Sequence, residues 1–216
     1  NADLALRIDP LTRVWGTYYG GNLSDVSFGL DSENNGNIVI SGESYSSNSI
    51  SSGGFQNTYG GGNGDAFVCK FLPNGNRIWA TYFGGNQNDR AYSVSIQSTG
   101  EIIVSGETGS PNNIATGIHQ MVLGGLRDAF ILKLAPNGSR IWSTYVGGND
   151  ADYSEDNTVD SFGNIYLSGY TSSIDSIALS GFQNTNNGGA FDVFLMKFDL
   201  NGNQIWGTFF GDTGYE

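Results

Sequence analysis

The sequence predicts an all-β protein built from a repeated four-stranded antiparallel unit, and three observations carry that prediction. The four tryptophans, Trp15, Trp79, Trp142 and Trp206, recur at intervals of 64, 63 and 64 residues. Other markers keep the same 63–64-residue period: Gly20-Gly21, Gly84-Gly85 and Gly147-Gly148; Gly36, Gly100 and Gly163; Lys70, Lys133 and Lys197. Between the markers lie short apolar or alternating runs separated by Gly/Asn turns, and no stretch of helical period and useful length. One period shared by so many unrelated markers means a solenoid or a propeller.

Each element follows from local pattern, most clearly in the second unit. Arg90–Ile96 alternates and ends at a Ser-Thr-Gly turn, and Glu101–Ser105 is its hairpin partner. A Gly/Asn/Ser-rich loop, Gly106–Arg127, leads to the near-continuous apolar run Ala129–Leu134. Pro136-Asn137-Gly138 turns the chain into Ile141–Val146. Four antiparallel strands with two apolar faces form the blade of a β-propeller, stable when sandwiched between neighbours. The tryptophan fits as a wedge between blades, and the glycine pair after it as the drop from the outer rim to the next inner strand, where positive φ is often needed.

The boundaries are an outer half-blade over 1–19 (strands Asp3–Ile8 and Val14–Tyr19), blade 1 over 20–83, blade 2 over 84–146, blade 3 over 147–210, and the start of another blade over 211–216. That is about three and a half blades, whereas closed propellers have between about four and eight. The ring is therefore expected to be incomplete. With no initiator Met or signal peptide at its start, the sequence reads as an internal segment of a longer chain.

Composition bounds the function. Nine Lys+Arg against 21 Asp+Glu give a net charge of −12, which disfavours nucleic acid and anionic membrane as partners. No apolar run approaches the ~20 residues of a membrane helix. A single cysteine excludes an internal disulfide framework and a multi-cysteine zinc site. His119, the only histidine, reads as a loop residue in the slot of Gln56 and Gln183, and Cys69 as an apolar filler in the slot of Leu132 and Met196.

Two acidic segments are calcium candidates. Asp31, Glu33 and Asn35 alternate oxygen ligands before Gly36, in a turn read as longer than its sisters. Asp150, Asp152, Glu155 and Asp156 crowd the start of the third repeat, where a solvated acidic rim is the alternative. No other cofactor is expected. Asp25, Asp89 and Asp152, like Asp65, Asp128 and Asp192, recur once per unit, as structural residues do. Lys70, Lys133 and Lys197 read as positions whose stems pack while their heads escape. The long loops, Glu43–Gly64, Glu107–Arg127 and Tyr170–Phe191, are expected to form one face carrying Tyr45, Tyr59 and Tyr170, suited to weak recognition of a protein or glycan, or else to cover blade edges.

The compound motif Asp128-Ala-Phe-Ile-Leu-Lys-Leu-Ala-Pro-Asn-Gly138, Ile141-Trp-Ser-Thr-Tyr-Val-Gly-Gly148 and Asp160-Ser-Phe-Gly-Asn-Ile-Tyr-Leu-Ser-Gly169 resembles the SBBP-type β-propeller repeat. It recurs at Asp65-Ala-Phe-Val-Cys-Lys70 and, more loosely, at Asp192-Val-Phe-Leu-Met-Lys197. The resemblance implies large secreted or surface proteins of Bacteroidetes and some archaea, many with a type IX secretion signal, and brings no catalytic residues. The expectation is a non-enzymatic extracellular or cell-surface scaffold for interaction or adhesion. The alternatives are a lectin-like glycan binder, a propeller hydrolase or quinoprotein, and a structural spacer. The remainder of its own propeller, or a partner chain, is expected against the raw edges.

Overall fold

The computed structural model describes residues 14–213. These residues form twelve strands in three four-stranded antiparallel sheets, and no helix occurs among them. Blade 1 holds β1 (Asp25–Ser32), β2 (Ile38–Ser44), β3 (Asp65–Phe71) and β4 (Arg77–Phe83). Blade 2 holds β5 (Asp89–Ile96), β6 (Ile102–Thr108), β7 (Asp128–Leu134) and β8 (Arg140–Val146). Blade 3 holds β9 (Asp152–Val159), β10 (Ile165–Thr171), β11 (Asp192–Phe198) and β12 (Gln204–Phe210). Strand order within each sheet is sequential. Consecutive blades meet through their first strands, β1 on β5 and β5 on β9, so the first strand is innermost and the fourth outermost.

The expected strand Asp3–Ile8 lies outside the described residues. Val14–Tyr19 is described and carries no strand. Its side chains still dock on blade 1: the Tyr19 ring packs on Phe67 and Phe71, and its hydroxyl donates to Ile50 O at 2.8 Å.

Both faces of the middle blade are buried. Phe130, Leu132 and Leu134 share a core with Val39, Val68 and Trp79 of blade 1. Ala129, Ile131 and Trp142 share one with Leu167, Phe194 and Phe198 of blade 3. The alternation of β7 between two apolar cores is why it reads as a continuous apolar run.

The hairpin loops correct one reading of the sequence. All three first hairpins have loops of the same length, 33–37, 97–101 and 160–164, closed by the same pair of backbone bonds. The turn at Asp31–Asn37 carries no insertion.

The long loops turn back along the outer strand. Ser52 pairs with Ala80, Thr116 N donates to Ser143 O, and Leu179 pairs with Gly207. They cover the free edge of each sheet, the plainer of the two roles expected for them, and so protect it from further strand addition.

Candidate functional site

Two recurring devices account for most of the polar residues singled out above. The first is an aspartate at the start of the inner strand. Asp89 Oδ2 accepts from Gly85 N (2.9 Å) and Ser110 Oγ (2.8 Å), and its Oδ1 from Thr108 Oγ1. Asp152 accepts in the same way from Gly148 N (2.8 Å), Ser173 Oγ (2.9 Å) and Thr171 Oγ1, and Asp25 from Gly21 N, Ser46 Oγ and Ser44 Oγ. Each carboxylate thus ties the glycine pair to the end of the second strand. None of the paired glycines at 20–21, 84–85 and 147–148 has positive φ. They are small because neighbours approach: a Cβ on Gly85 would lie 2.3 Å from Asn112 O.

The second device clasps one blade to the next. The Trp79 indole donates to Pro136 O at 3.0 Å, and Lys70 Nζ reaches the same oxygen at 3.3 Å. Trp15 donates to Pro73 O at 2.7 Å, and Lys133 Nζ to Leu200 O at 3.2 Å. The turn glycine beneath each indole is where positive φ occurs: Gly138, at φ 84°, would put a Cβ 2.7 Å from Trp79. The heads of Lys70 and Lys133 therefore do not escape. Lys70 and Lys133 are almost fully buried, and each also pairs with a carboxylate, Glu33 (2.5 Å) and Glu101 (2.9 Å).

Burial acts on the aspartates. It pushes Asp65 up to about 7, Asp89 and Asp152 up to about 6, and Asp128 in the same direction. A carboxyl with a higher pKa folded than unfolded binds more protons in the native state, so its contribution to stability fades as pH rises through about 4 to 7. At Glu33 the bonds from Lys70 and Asn37 outweigh burial and hold the carboxyl low, a contribution lost below about pH 4. The melting temperature is therefore expected to rise from pH 8 to about 5 and to fall below about 4. A scan by circular dichroism checks this, and a flat or declining profile between 8 and 5 would show these aspartates ionised throughout.

The calcium candidates are dispersed among these roles. Asp31 Oδ2 accepts from Ile96 N (2.8 Å), Glu33 from Lys70, Asn35 and Asn37, and Asn35 Oδ1 from Asn37 N (2.9 Å). Asp150 Oδ1 accepts from Ala151 N (2.9 Å), Asp152 is the repeated aspartate, and Asp156 Oδ1 accepts from Ser93 Oγ of blade 2 (2.6 Å). Among the described residues, no three His, Cys, Asp or Glu side chains converge to hold a metal ion.

His119 shifts by one position. Gln120, not His119, matches Gln56 and Gln183: the backbone N–H of each donates to a threonine hydroxyl of the outer strand. His119 takes the place of Phe55 and Phe182 and packs edge-on to Phe198 at 5.3 Å, where burial lowers its pKa. Cys69 is fully buried, and burial pushes its thiol up to about 12.

The three tyrosines have different surroundings. Tyr59 packs on Tyr82 beside a cleft that also contains Phe55 and Arg140. Tyr45 follows β2 and bonds Arg90. Tyr170 is a strand residue, since β10 runs to Thr171. It belongs to the one place where the repeat changes its chemistry from blade to blade.

That place is the end of the sheet where the first strand begins, the second ends and the third begins. Cross-strand pairing puts Val26 opposite Glu43 in blade 1, Arg90 opposite Glu107 in blade 2, and Tyr153 opposite Tyr170 in blade 3. The residue before the third strand is Gly64, Arg127 and Phe191 in turn. Blade 2 thus carries charge: Arg90 Nε donates to Glu43 (2.9 Å), and Arg90 and Arg127 both donate to Glu107 Oε1, at 2.9 and 2.8 Å. Blade 3 carries rings: Tyr153 and Tyr170 stack at 4.7 Å and 24°, with Phe191 edge-on to Tyr170 at 5.2 Å. Arg90 and Glu107 of the first set and the three rings of the second line a cleft of about 460 Å³, with Tyr92 and Val193 also on its wall. Tyr92 is the extra residue of a β-bulge in β5, as Phe28 is in β1 and Glu155 in β9. Burial first, then Glu107, pushes Tyr92 up to about 12, so its phenol is neutral.

Comparison with known proteins agrees with this architecture. Residues 141–175 match the family model described as SBBP, beta-propeller repeat. Over 170 residues the chain is 25% identical to an uncharacterized WD repeat-containing protein, L264, of Acanthamoeba polyphaga mimivirus. That match covers 66% of this chain and 12% of the viral protein, so the chain spans a small part of that relative's length. None of the four tryptophans here is followed by aspartate, so the likeness does not run through a Trp-Asp dipeptide. Sheets and similarity together make this chain an incomplete β-propeller of three described blades, with a stretch similar to the SBBP repeat.

Proposed function

We propose that the chain is a non-enzymatic segment of a secreted or cell-surface propeller that acts as a protein-interaction scaffold, docking through the outward face of blade 3. One observation carries this reading. Val193, Leu195 and Phe210 are 38, 40 and 65% exposed, whereas their counterparts Ala66, Val68 and Phe83 of blade 1, and Ala129, Ile131 and Val146 of blade 2, are all at 0%. In blades 1 and 2 the following blade covers those positions. Lys197 likewise has only Asp160, at 3.9 Å, and the Tyr166 ring beside its head. The face carries exposed apolar side chains at the positions that meet the next blade in blades 1 and 2. The secreted or surface location rests on the resemblance to Bacteroidetes repeats, together with a single buried cysteine and an acidic surface rich in Ser, Asn and Gly.

Sedimentation velocity tests the docking. The purified chain is expected to self-associate or to capture a separately expressed blade pair of the same repeat, and Leu195→Lys to abolish this without lowering the melting temperature. A strictly monomeric chain that captures no blade pair would overturn the reading.

A further inference from the structure

The cleft between blades 2 and 3 is not demanded by the fold. Blade 1 has Val26, Glu43 and Gly64 at the positions where blade 3 has Tyr153, Tyr170 and Phe191, and both blades pair their strands in the same register. The hydrogen-bonded devices that hold the blades together repeat; this surface does not. In blades 1 and 2 the residues beside the second-strand glutamates on this face are Ala66 and Ala129, so blade-to-blade contact at this end is made by small and charged side chains.

We propose that this cleft binds a neutral saccharide. One guanidinium, Arg90, and one carboxylate, Glu107, line the cleft and pair with each other, with Glu43 and Arg127 as their second partners, so these four charges balance. Glu107 is almost wholly buried and held by both arginines, while each arginine side chain keeps 30% of its surface open. A fork fixed in this way presents N–H donors in a set plane. Opposite it stands an aromatic wall of Tyr153, Tyr170 and Phe191. A pyranose matches both sides: an apolar C–H face to lie on the rings, and a girdle of hydroxyls for the Arg90 guanidinium. Concave sites of this kind combine an apolar wall with a few fixed polar groups.

Other ligands fit less well. A quaternary ammonium needs rings arranged as the walls of a box, whereas Tyr153 and Tyr170 lie face to face. A polyanion meets a chain of net charge −12. An extended peptide added to a sheet needs an open strand edge, and the cleft lies at strand ends, where the ladders of β9 and β10 are already paired.

The proposal goes beyond the docking reading; because Val193 lines the cleft and also belongs to the docking face, saccharide binding is read on the undocked chain and docking on the mass of the complex. The probe is a panel of neutral cello-, xylo-, manno- and laminari-oligosaccharides, screened against the 216-residue chain by saturation-transfer NMR, with hits quantified by calorimetry. At least one member is expected to bind saturably. Tyr170→Glu places there the residue that blades 1 and 2 carry, and is expected to weaken binding at least tenfold with the melting temperature unchanged. Phe191→Ala, outside the ladder, serves as a second variant should the first unfold. Leu195→Lys, which breaks docking, is expected to leave binding intact. No saturable binding across the panel, binding that survives both cleft substitutions in folded protein, or capture of tetramethylammonium or an oligouronate in preference to the neutral sugars would overturn the proposal.

Discussion

Trp79→Ala and Trp142→Ala are each expected to cost about 3–5 kcal/mol of unfolding free energy, and Trp206→Ala only about 1–2 kcal/mol. The three tryptophans occupy the same repeat position, so the difference comes from their surroundings. Trp79 and Trp142 are 3 and 5% exposed, inside the two inter-blade cores, with the turn glycines 138 and 202 of the following blade against their rings. Removing the ring leaves a large cavity that a rigid β-turn cannot close, and at Trp79 it also removes the bond to Pro136 O. Trp206 is half-buried and has the Tyr166 ring at 6.4 Å. Urea unfolding of the three variants, with the slope checked for two-state behaviour, gives the comparison. If Trp206→Ala proves as costly as Trp142→Ala, the outward face of blade 3 is covered in solution, and the docking surface is already occupied.

The same contrast shows what the sequence could and could not disclose. Periodicity of Trp, Gly and Lys sufficed for the blade, its four strands and the incomplete ring, because a fixed period reports the spacing of equivalent environments. It failed where equivalence had to be assigned one residue at a time. The run Ile118-His119-Gln120 was matched by its histidine, although the hydrogen bond to a threonine hydroxyl identifies Gln120. The turn at 33–37 reads as long when taken from Asp31, whereas the backbone bonds that close all three turns are identical. Lysines on apolar strands looked like heads in water, since nothing local says that the next blade offers a carbonyl and its own hairpin a carboxylate. The cleft did leave a signal. Counting one residue on from Asp25, Asp89 and Asp152 gives Val26, Arg90 and Tyr153, three chemistries at one position of an otherwise faithful repeat. Departures from a repeat are the place to look for something the fold does not require.

Asp89→Ala is expected to destabilise the chain by about 3–5 kcal/mol, since each buried donor left without an acceptor costs about 1–3 kcal/mol. Three donors depend on this carboxylate: the Gly85 amide and the hydroxyls of Ser110 and Thr108. Water has no route in, because Asp89, Thr108 and Ser110 are all at 0% exposure. Asp89→Asn has the same shape and keeps one acceptor oxygen, so its cost is expected to be about 1–2 kcal/mol. It also removes a group that titrates, and this separates the electrostatic part from the geometric one. Because burial pushes Asp89 up to about 6, the folded wild type takes up a proton there that the unfolded chain takes up nearer 4. The asparagine variant is therefore expected to lose less stability relative to wild type at pH 8 than at pH 5. Paired denaturation curves at the two pH values measure this directly. An equal loss at both would mean that three hydrogen bonds hold the buried carboxylate ionised across the range, and that the repeated aspartates stabilise the blades as anions.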